Sequence, residues 1–131
     1  FIFNGKFAVE LKLQYDSTIN YFQSYSNNAI TIKNVEYQRS LILTPEAIIA
    51  DWEPIHIDLL CGDNIQTIVD LKPEVILIGT GKHLKFPKPK LYAEIASKNI
   101  GIEFMDTHAA CRTYNILATE SRKVAAGLIL E

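Results

Sequence analysis

Residue types able to do chemistry gather in one stretch, Asp106-Thr107-His108-Ala109-Ala110-Cys111-Arg112-Thr113-Tyr114-Asn115. On a helix, His108, Cys111 and Arg112 stand at i, i+3 and i+4 and share a face. That face would set a thiol beside a base and an anion-binding guanidinium. A plainer structural explanation competes: Asp106 or Thr107 caps the helix, Ala109 and Ala110 allow close packing, and Cys111 belongs to a type often buried. A Cys/His pattern does not transfer between families, so no catalytic residue is assigned. The stretch lies where a strand's carboxyl end meets a helix N-terminus, the edge at which open α/β sheets bind ligands.

A second candidate is Ile78-Gly79-Thr80-Gly81. Two glycines after a buried strand let backbone approach a ligand, and their N–H groups can hold an anion. The third glycine of a dinucleotide fingerprint is absent, as is the Gly-Lys-Ser/Thr ending of a P-loop. A tight strand exit where only glycine fits explains the pair equally well. Downstream, Lys82-His83-Leu84-Lys85-Phe86-Pro87-Lys88-Pro89-Lys90 contains no acid. This run can touch phosphate, an acidic partner or a membrane surface. It lacks the interleaved aromatics of a single-strand binder, having only Phe86. Its prolines predict a stiff, solvated loop with Phe86-Pro87 docked on the core. His56, His83 and His108 are too dispersed for a metal motif, so neither metal nor cofactor is expected.

The elements that must position these groups follow from periodicity. Ile19–Tyr25 and Ala29–Val35 predict a hairpin, because Asn27 and Asn28 tolerate the positive φ of a tight turn. Ser40–Leu43 and Ala47–Trp52 predict short strands around a Thr44-Pro45-Glu46 turn. The first 55 or so residues thus read as a β-meander. Asp63–Leu71 has helical spacing with Asp63 as N-cap, ended by Pro73. Glu74–Ile78 and Ile100–Met105 read as strands buried on both faces. Pro89–Asn99 predicts a helix with Leu91, Ala93, Ile95 and Ala96 inward. A helix from Asp106 or Thr107 to about Glu120 and a strand over Lys123–Leu130 complete a β-α-β-α-β series, a sheet covered by helices.

Composition agrees with one domain over residues 1–131: 48% of the residues are hydrophobic and 21% charged, too apolar for a disordered chain. The longest apolar candidate, Val75–Ile78, stops at Gly79, far short of the roughly 18 residues a membrane helix needs. Phe1-Ile2-Phe3 is too short for a signal-peptide core. Cys61 and Cys111 form neither a disulfide scaffold nor a four-thiolate zinc site. Free thiols fit a reducing compartment, the cytoplasm or an organelle matrix. The net charge of −2 hides an asymmetry: residues 1–81 carry five basic and ten acidic side chains, residues 82–131 eight and five. No overall basic field favours nucleic acid.

The motifs themselves carry a resemblance. Lys72-Pro73-Glu74-Val75-Ile76-Leu77-Ile78-Gly79-Thr80-Gly81, then Phe86-Pro87 with Pro89, Gly101-Ile102-Glu103, and Met105-Asp106-Thr107 with Ala109 through Leu117 resemble one small family. It is the family of α/β domains of unknown function that includes mitochondrial complex I assembly factor three and the adipogenesis-associated domain protein. The match spans about residues 19–129 and is strongest over 72–126. The resemblance implies a three-layer fold around a mixed, mostly parallel sheet, helices packed on it, and an N-terminal β-hairpin or meander layer. It implies no established reaction, and eukaryotic relatives act through protein partners during respiratory complex assembly. The polar positions matching the family are Thr80, Asp106, Thr107, Arg112, Thr113, Tyr114 and Asn115, whereas His108 stands at a variable position. A candidate cleft follows, made of Gly79, Thr80, Gly81, Asp106, Thr107, Cys111, Arg112, Tyr114 and Asn115. In it Arg112 supplies charge, Asp106 and Thr107 orient the turn, and the N–H groups of 79–81 face the ligand. The expected function is a non-enzymatic binding or assembly-accessory protein with a protein partner. The alternative is a small-molecule or anion binder, or an enzyme, using the same cleft.

Overall fold

The computed structural model describes residues 18–131, so readings placed on the first seventeen residues, Phe1–Phe3 included, lie outside it. Strands β1 (Phe22–Ser26), β2 (Ala29–Ile32) and β3 (Val35–Tyr37) form an antiparallel three-stranded sheet. The β1–β2 turn is the expected one, with Asn27 and Asn28 at φ 52° and 58°. A second tight turn divides the strand expected over Ala29–Val35, because Lys33 and Asn34 also take positive φ, 50° and 65°. The Asn34 N–H donates to Gln23 Oε1 at 2.7 Å, which fixes that turn against β1. Strand β1 starts later than the expected Ile19 because Asn20 is engaged elsewhere. Its N–H donates to the Pro45 carbonyl at 3.0 Å and its side-chain amide to the Thr44 carbonyl at 3.1 Å.

The second sheet has five strands in the order β5 (Ile48–Ile49), β4 (Leu41–Leu43), β8 (Val124–Leu128), β6 (Val75–Gly79), β7 (Gly101–Met105). β6 runs parallel to both β8 and β7, and β4 pairs antiparallel with β8 and β5. The sheet is therefore mixed. Thr44 Oγ1 closes the β4–β5 turn by accepting from the Ala47 N–H at 2.9 Å. Alternation along the strands divides the core in two. Leu41, Leu43, Leu77, Ala126 and Leu128 face one layer, with Ile30 and Ile32 of the small sheet and Tyr114 of helix α3 (Thr107–Thr119). Ile42, Ile76, Ile78, Ala125 and Ile129 face the other, under α1 (Gly62–Val69) and α2 (Pro89–Ala96). The fold is α/β in three layers, as expected.

Three local expectations are corrected. The N-cap of α1 is Cys61, not Asp63: Asn64 Oδ1 turns back to accept from the Cys61 N–H at 2.9 Å and from its thiol at 3.1 Å. Helix α2 ends at Ala96, and of the four residues expected inward only Leu91 and Ile95 are buried. Among the described residues β7 is an edge strand, with Gly101 and Glu103 exposed, and an edge tolerates a charge at its centre.

Gly127 in β8 is required by packing. A Cβ there would lie 2.6 Å from Trp52 Cη2 and 2.9 Å from Ile68 Cδ1. The Trp52 ring closes the α1 side over this gap, its buried Nε1 without a hydrogen-bond partner among the described residues. Gly127→Ala must displace an aromatic ring in a close-packed core, a change that costs about 1–3 kcal/mol. Urea denaturation should show that loss, whereas the same substitution at Gly101, where a Cβ meets nothing within 4 Å, should not.

Candidate functional site

Five of the nine candidate residues, Gly79, Thr80, Gly81, Asp106 and Thr107, meet at the carboxyl ends of the parallel strands. β6 ends at Gly79, and a Cβ there would stand 2.8 Å from the Thr107 Cα, so glycine lets the strand exit touch the first turn of α3. Gly81 has φ 106°, a left-handed conformation that favours glycine. Between them Thr80 is buried, its N–H donating to the Met105 carbonyl at 2.9 Å. Its hydroxyl donates to the His83 carbonyl at 2.7 Å and accepts from the Lys85 N–H at 3.1 Å. Thr107, also buried, holds the turn from the other side. Its Oγ1 accepts from the Gly81 N–H and donates to the Ile129 carbonyl, both at 2.8 Å, and its own N–H donates to the Gly81 carbonyl at 2.9 Å. The Thr80 and Gly81 N–H groups, expected to face a ligand, are thus consumed inside the fold. Sequence spacing could not reveal this, because the acceptors come from residues 105 and 107.

Asp106 is the N-cap of α3, its Oδ1 accepting from the Ala109 N–H at 2.9 Å. Along α3 the expected trio parts. Cys111 is fully buried with Ala110 and Tyr114, while His108 and Arg112 are exposed. The hundred-degree step between 111 and 112 carries the chain across the edge of the apolar stripe. Burial, and then the Asp106 charge, push the Cys111 thiol pKa far up, so it is a neutral thiol at pH 7. His108 packs on hairpin rings, 5.5 Å from Tyr25 and 6.0 Å from Phe22 between centroids. Arg112 makes no ion pair among the described residues.

The last two candidate residues grip the small sheet. Tyr114 OH donates to the Asn20 carbonyl at 2.7 Å, and burial raises its pKa well above the usual phenol value. The Asn115 amide pairs with β1 as a strand would: Oδ1 accepts from the Phe22 N–H and Nδ2 donates to the Phe22 carbonyl, both at 2.8 Å. Ile116 was not among the expected site residues. It is 60% exposed, one turn beyond Arg112 on the solvent side of α3. The signal that finds it is an apolar residue opposite the stripe of Thr107, Ala110, Cys111, Tyr114 and Ala118.

The loop after Gly81 has its Pro87 buried, but Phe86 is exposed rather than docked on the core, leaning on Phe104 at 6.2 Å between ring centroids. Glu131 lies at the loop's base. Its carboxyl is held below the usual range chiefly by the Lys82 N–H, against the opposing effect of burial, and further by His56 and Lys85. Among the described residues no three His, Cys, Asp or Glu side chains are placed to share a metal, and no described helix is long and apolar enough to cross a membrane. A groove of about 610 Å³ lies at the other end of the sheet, lined by Pro45, Ala47, Leu71, Pro73, Arg122 and Val124 among others. None of the candidate residues reaches it.

With this geometry in view, comparison with known proteins identifies the chain's relatives. A family model described as a protein of unknown function (DUF498/DUF598) matches residues 22–129. The chain belongs to this family. A relative from Francisella tularensis named 13 kDa major membrane protein is 30% identical over 110 residues, which are 83% of this chain and 89% of that protein. Mouse NADH dehydrogenase (ubiquinone) 1 alpha subcomplex assembly factor 3 is 27% identical over 111 residues, 83% of this chain. The match spans only 60% of the mouse protein. A crystal structure of a Bordetella parapertussis protein superimposes with a TM-score of 0.80 at 30% identity, covering 87% of this chain and 98% of that one. The Gly79-Thr80-Gly81 and Asp106-Thr107 strings, on which the resemblance rests, include the residues that lock β6 to α3.

Two measurements test this arrangement. Thr107→Val removes the hydroxyl and leaves the Gly81 N–H and Ile129 carbonyl buried without a partner. At about 1–3 kcal/mol for each stranded group, unfolding should show a loss of roughly 2–6 kcal/mol, with Thr107→Ser retaining most of the stability. The raised pKa of Cys111 predicts that it resists iodoacetamide at pH 7–8 in the native protein and reacts on unfolding, while exposed Cys61 is modified throughout. Rapid native alkylation of Cys111 would contradict that placement.

Proposed function

We propose that this chain is a non-enzymatic binding or assembly-accessory domain, and that its working surface is the Gly79–Gly81 turn together with the Asp106–Asn115 start of α3. Within that surface Gly79, Thr80, Gly81, Thr107, Cys111, Tyr114 and Asn115 form the rigid base. Asp106 and Arg112 present charge, with His108 beside them. One observation carries the reading: Arg112 stands exposed and without an ion pair among the described residues, one turn from the exposed Ile116. An arginine beside a protruding aliphatic side chain on a rigid helix is suited to a protein interface, where arginine is enriched and anchors are apolar. Support also comes from the mouse relative, whose name is that of an assembly factor. A partner bearing a carboxylate beside a small apolar pocket fits both residues. The two free cysteines fit a reducing setting, cytoplasm or organelle matrix.

The rival is an enzyme or small-anion binder using Cys111, Arg112 or the N–H groups of 79–81; an anion held by Arg112 alone would leave the exposed Ile116 beside it unused. Cys111 is buried as the thiol, and the Thr80 and Gly81 donors are already paired, so the binding-domain reading is preferred. The test is affinity capture from lysate with wild type, Arg112→Ala and Ile116→Ala in parallel. Both side chains are exposed, so the variants should keep the wild-type melting temperature. A partner retained by wild type and weakened at least tenfold by each variant is the expected result. A bound set indifferent to both substitutions would sink the proposal.

A further inference from the structure

Two apolar side chains stand in the open within the most basic stretch of the chain. Leu84 is 51% and Phe86 63% exposed, set among Lys82, Lys85, Lys88 and Lys90, and no acidic residue occurs from Lys82 to Ala93. The segment is fixed from beneath by the two Thr80 hydroxyl bonds and by buried Pro87. Its conformation is therefore set before any partner arrives, which lowers the entropy cost of docking. Tyr92, 47% exposed, extends the patch into α2, its ring stacked on Phe104 at 5.7 Å. Lys88 is the N-cap of α2 and Lys90 lies in its first turn, which holds no acid. Lysines at the positive end of a helix dipole disfavour the helix locally, so positive charge is concentrated here against local preference, a mark of functional surfaces. Glu131 lies at the start of the loop, where it accepts from the Lys82 N–H and is influenced by Lys85. Lys88 and Lys90 make no ion pair among the described residues; Glu94, one turn beyond Lys90 on α2, is the first acid that follows them.

We propose that the 82–90 loop docks this chain peripherally on an anionic lipid bilayer, with Leu84 and Phe86 entering the headgroup boundary and the lysines pairing with anionic headgroups. Apolar side chains ringed by lysines suit that boundary, where buried apolar area and electrostatic attraction act together. Tyrosine suits the headgroup level. A single-stranded nucleic acid fits less well: it calls for a row of ring faces along a groove, whereas Tyr92 has one face stacked on Phe104, Leu84 offers no ring, and Phe86 is the one aromatic of the lysine run. The loop shares Thr80 with the base of the protein-binding surface but presents different exposed groups: Phe86 leans on Phe104 of the α1/α2 side, whereas Arg112 and Ile116 stand on α3, whose buried stripe packs into the other layer.

The experiment is co-sedimentation of the full chain with vesicles of equal parts phosphatidylglycerol and phosphatidylcholine, and with pure phosphatidylcholine vesicles. Binding to the anionic vesicles only, weakening as salt is raised, is expected. Each lysine neutralised should lower the partition coefficient on the order of fivefold, so Lys88→Gln with Lys90→Gln should lower it about 25-fold. Leu84→Ala with Phe86→Ala should reduce binding at unchanged melting temperature, since both side chains are exposed. Leu84→Trp should shift its fluorescence to the blue on anionic vesicles alone. Three results would overturn the proposal: no vesicle binding, equal binding to both compositions, or tighter binding to a single-stranded oligonucleotide or polyglutamate than to anionic vesicles. Vesicle binding reads residues 84–90 and lysate capture reads Arg112 and Ile116, so either proposal can fail alone.

Discussion

One buried hydroxyl joins the three segments that converge at the carboxyl end of the large sheet. Thr107 Oγ1 accepts from the turn after β6 and donates to the chain leaving β8, while its Cα fills the space a side chain at Gly79 would need. A hydroxyl can do both because it is one donor and two acceptor sites on a single atom. Ser40 repeats the device on the next residue, accepting from the Leu130 N–H at 2.9 Å. Residues 129 and 130 thus continue past β8 with their polar groups satisfied, as buried backbone must be. The glycines, the threonines and the order of strands at this end depend on one another.

The same helix that supplies Thr107 organises the rest of that face. Its inner stripe packs on β6 and β8; from within that stripe Tyr114 holds Asn20, just before the small sheet, and from its edge Asn115 holds the first residue of β1. A side-chain amide paired with both polar groups of Phe22 bonds β1 as a neighbouring strand would. This leaves little for those residues to offer a ligand. What α3 offers instead is on its outer side, where Arg112 and Ile116 are held in place by everything buried beneath them. Rigid placement of a few exposed groups is what an interface needs, and it comes here from residues whose own polar groups are spent.

Much of the architecture was readable from residue types because local and global preferences agree. Asn27-Asn28 marks its turn through a backbone conformation asparagine tolerates, and Val75–Ile78 marks a buried central strand by continuous apolarity. Where readings missed, the cause was non-local. Lys33 carries no turn signal, and its turn is fixed by Gln23 across the sheet. β7 looks like a central strand until its missing neighbour is known. The site was readable in part: Asp106 caps as its position predicts, and Gly79 and Gly81 do mark a close approach. No sequence distance could show that the Gly81 N–H is taken by residue 107, or that Tyr92 and Phe104 stand beside the one aromatic of the lysine run.

Those added rings change how the charge of the second half acts. Eight basic side chains in residues 82–131 would form a single field only if the fold gathered them, and it does not. The lysines of 82–90 lie on the α2 side with exposed Leu84, Phe86 and Tyr92, and Arg112 lies across the sheet beside Ile116. Charges more than about 10 Å apart at the surface are largely screened at ordinary ionic strength, so the groups closest to each cation matter most. In both places those groups include an exposed apolar side chain. Long polyanions need a continuous basic track to release many counterions at once, and here four of the eight cations stand in the loop, Arg112 stands on α3, Lys98 bonds Gln66 and Arg122 pairs with Glu74. The loop lysines and Arg112 each stand beside exposed hydrocarbon, and selectivity at either place must come from meeting charge and apolar surface in one partner.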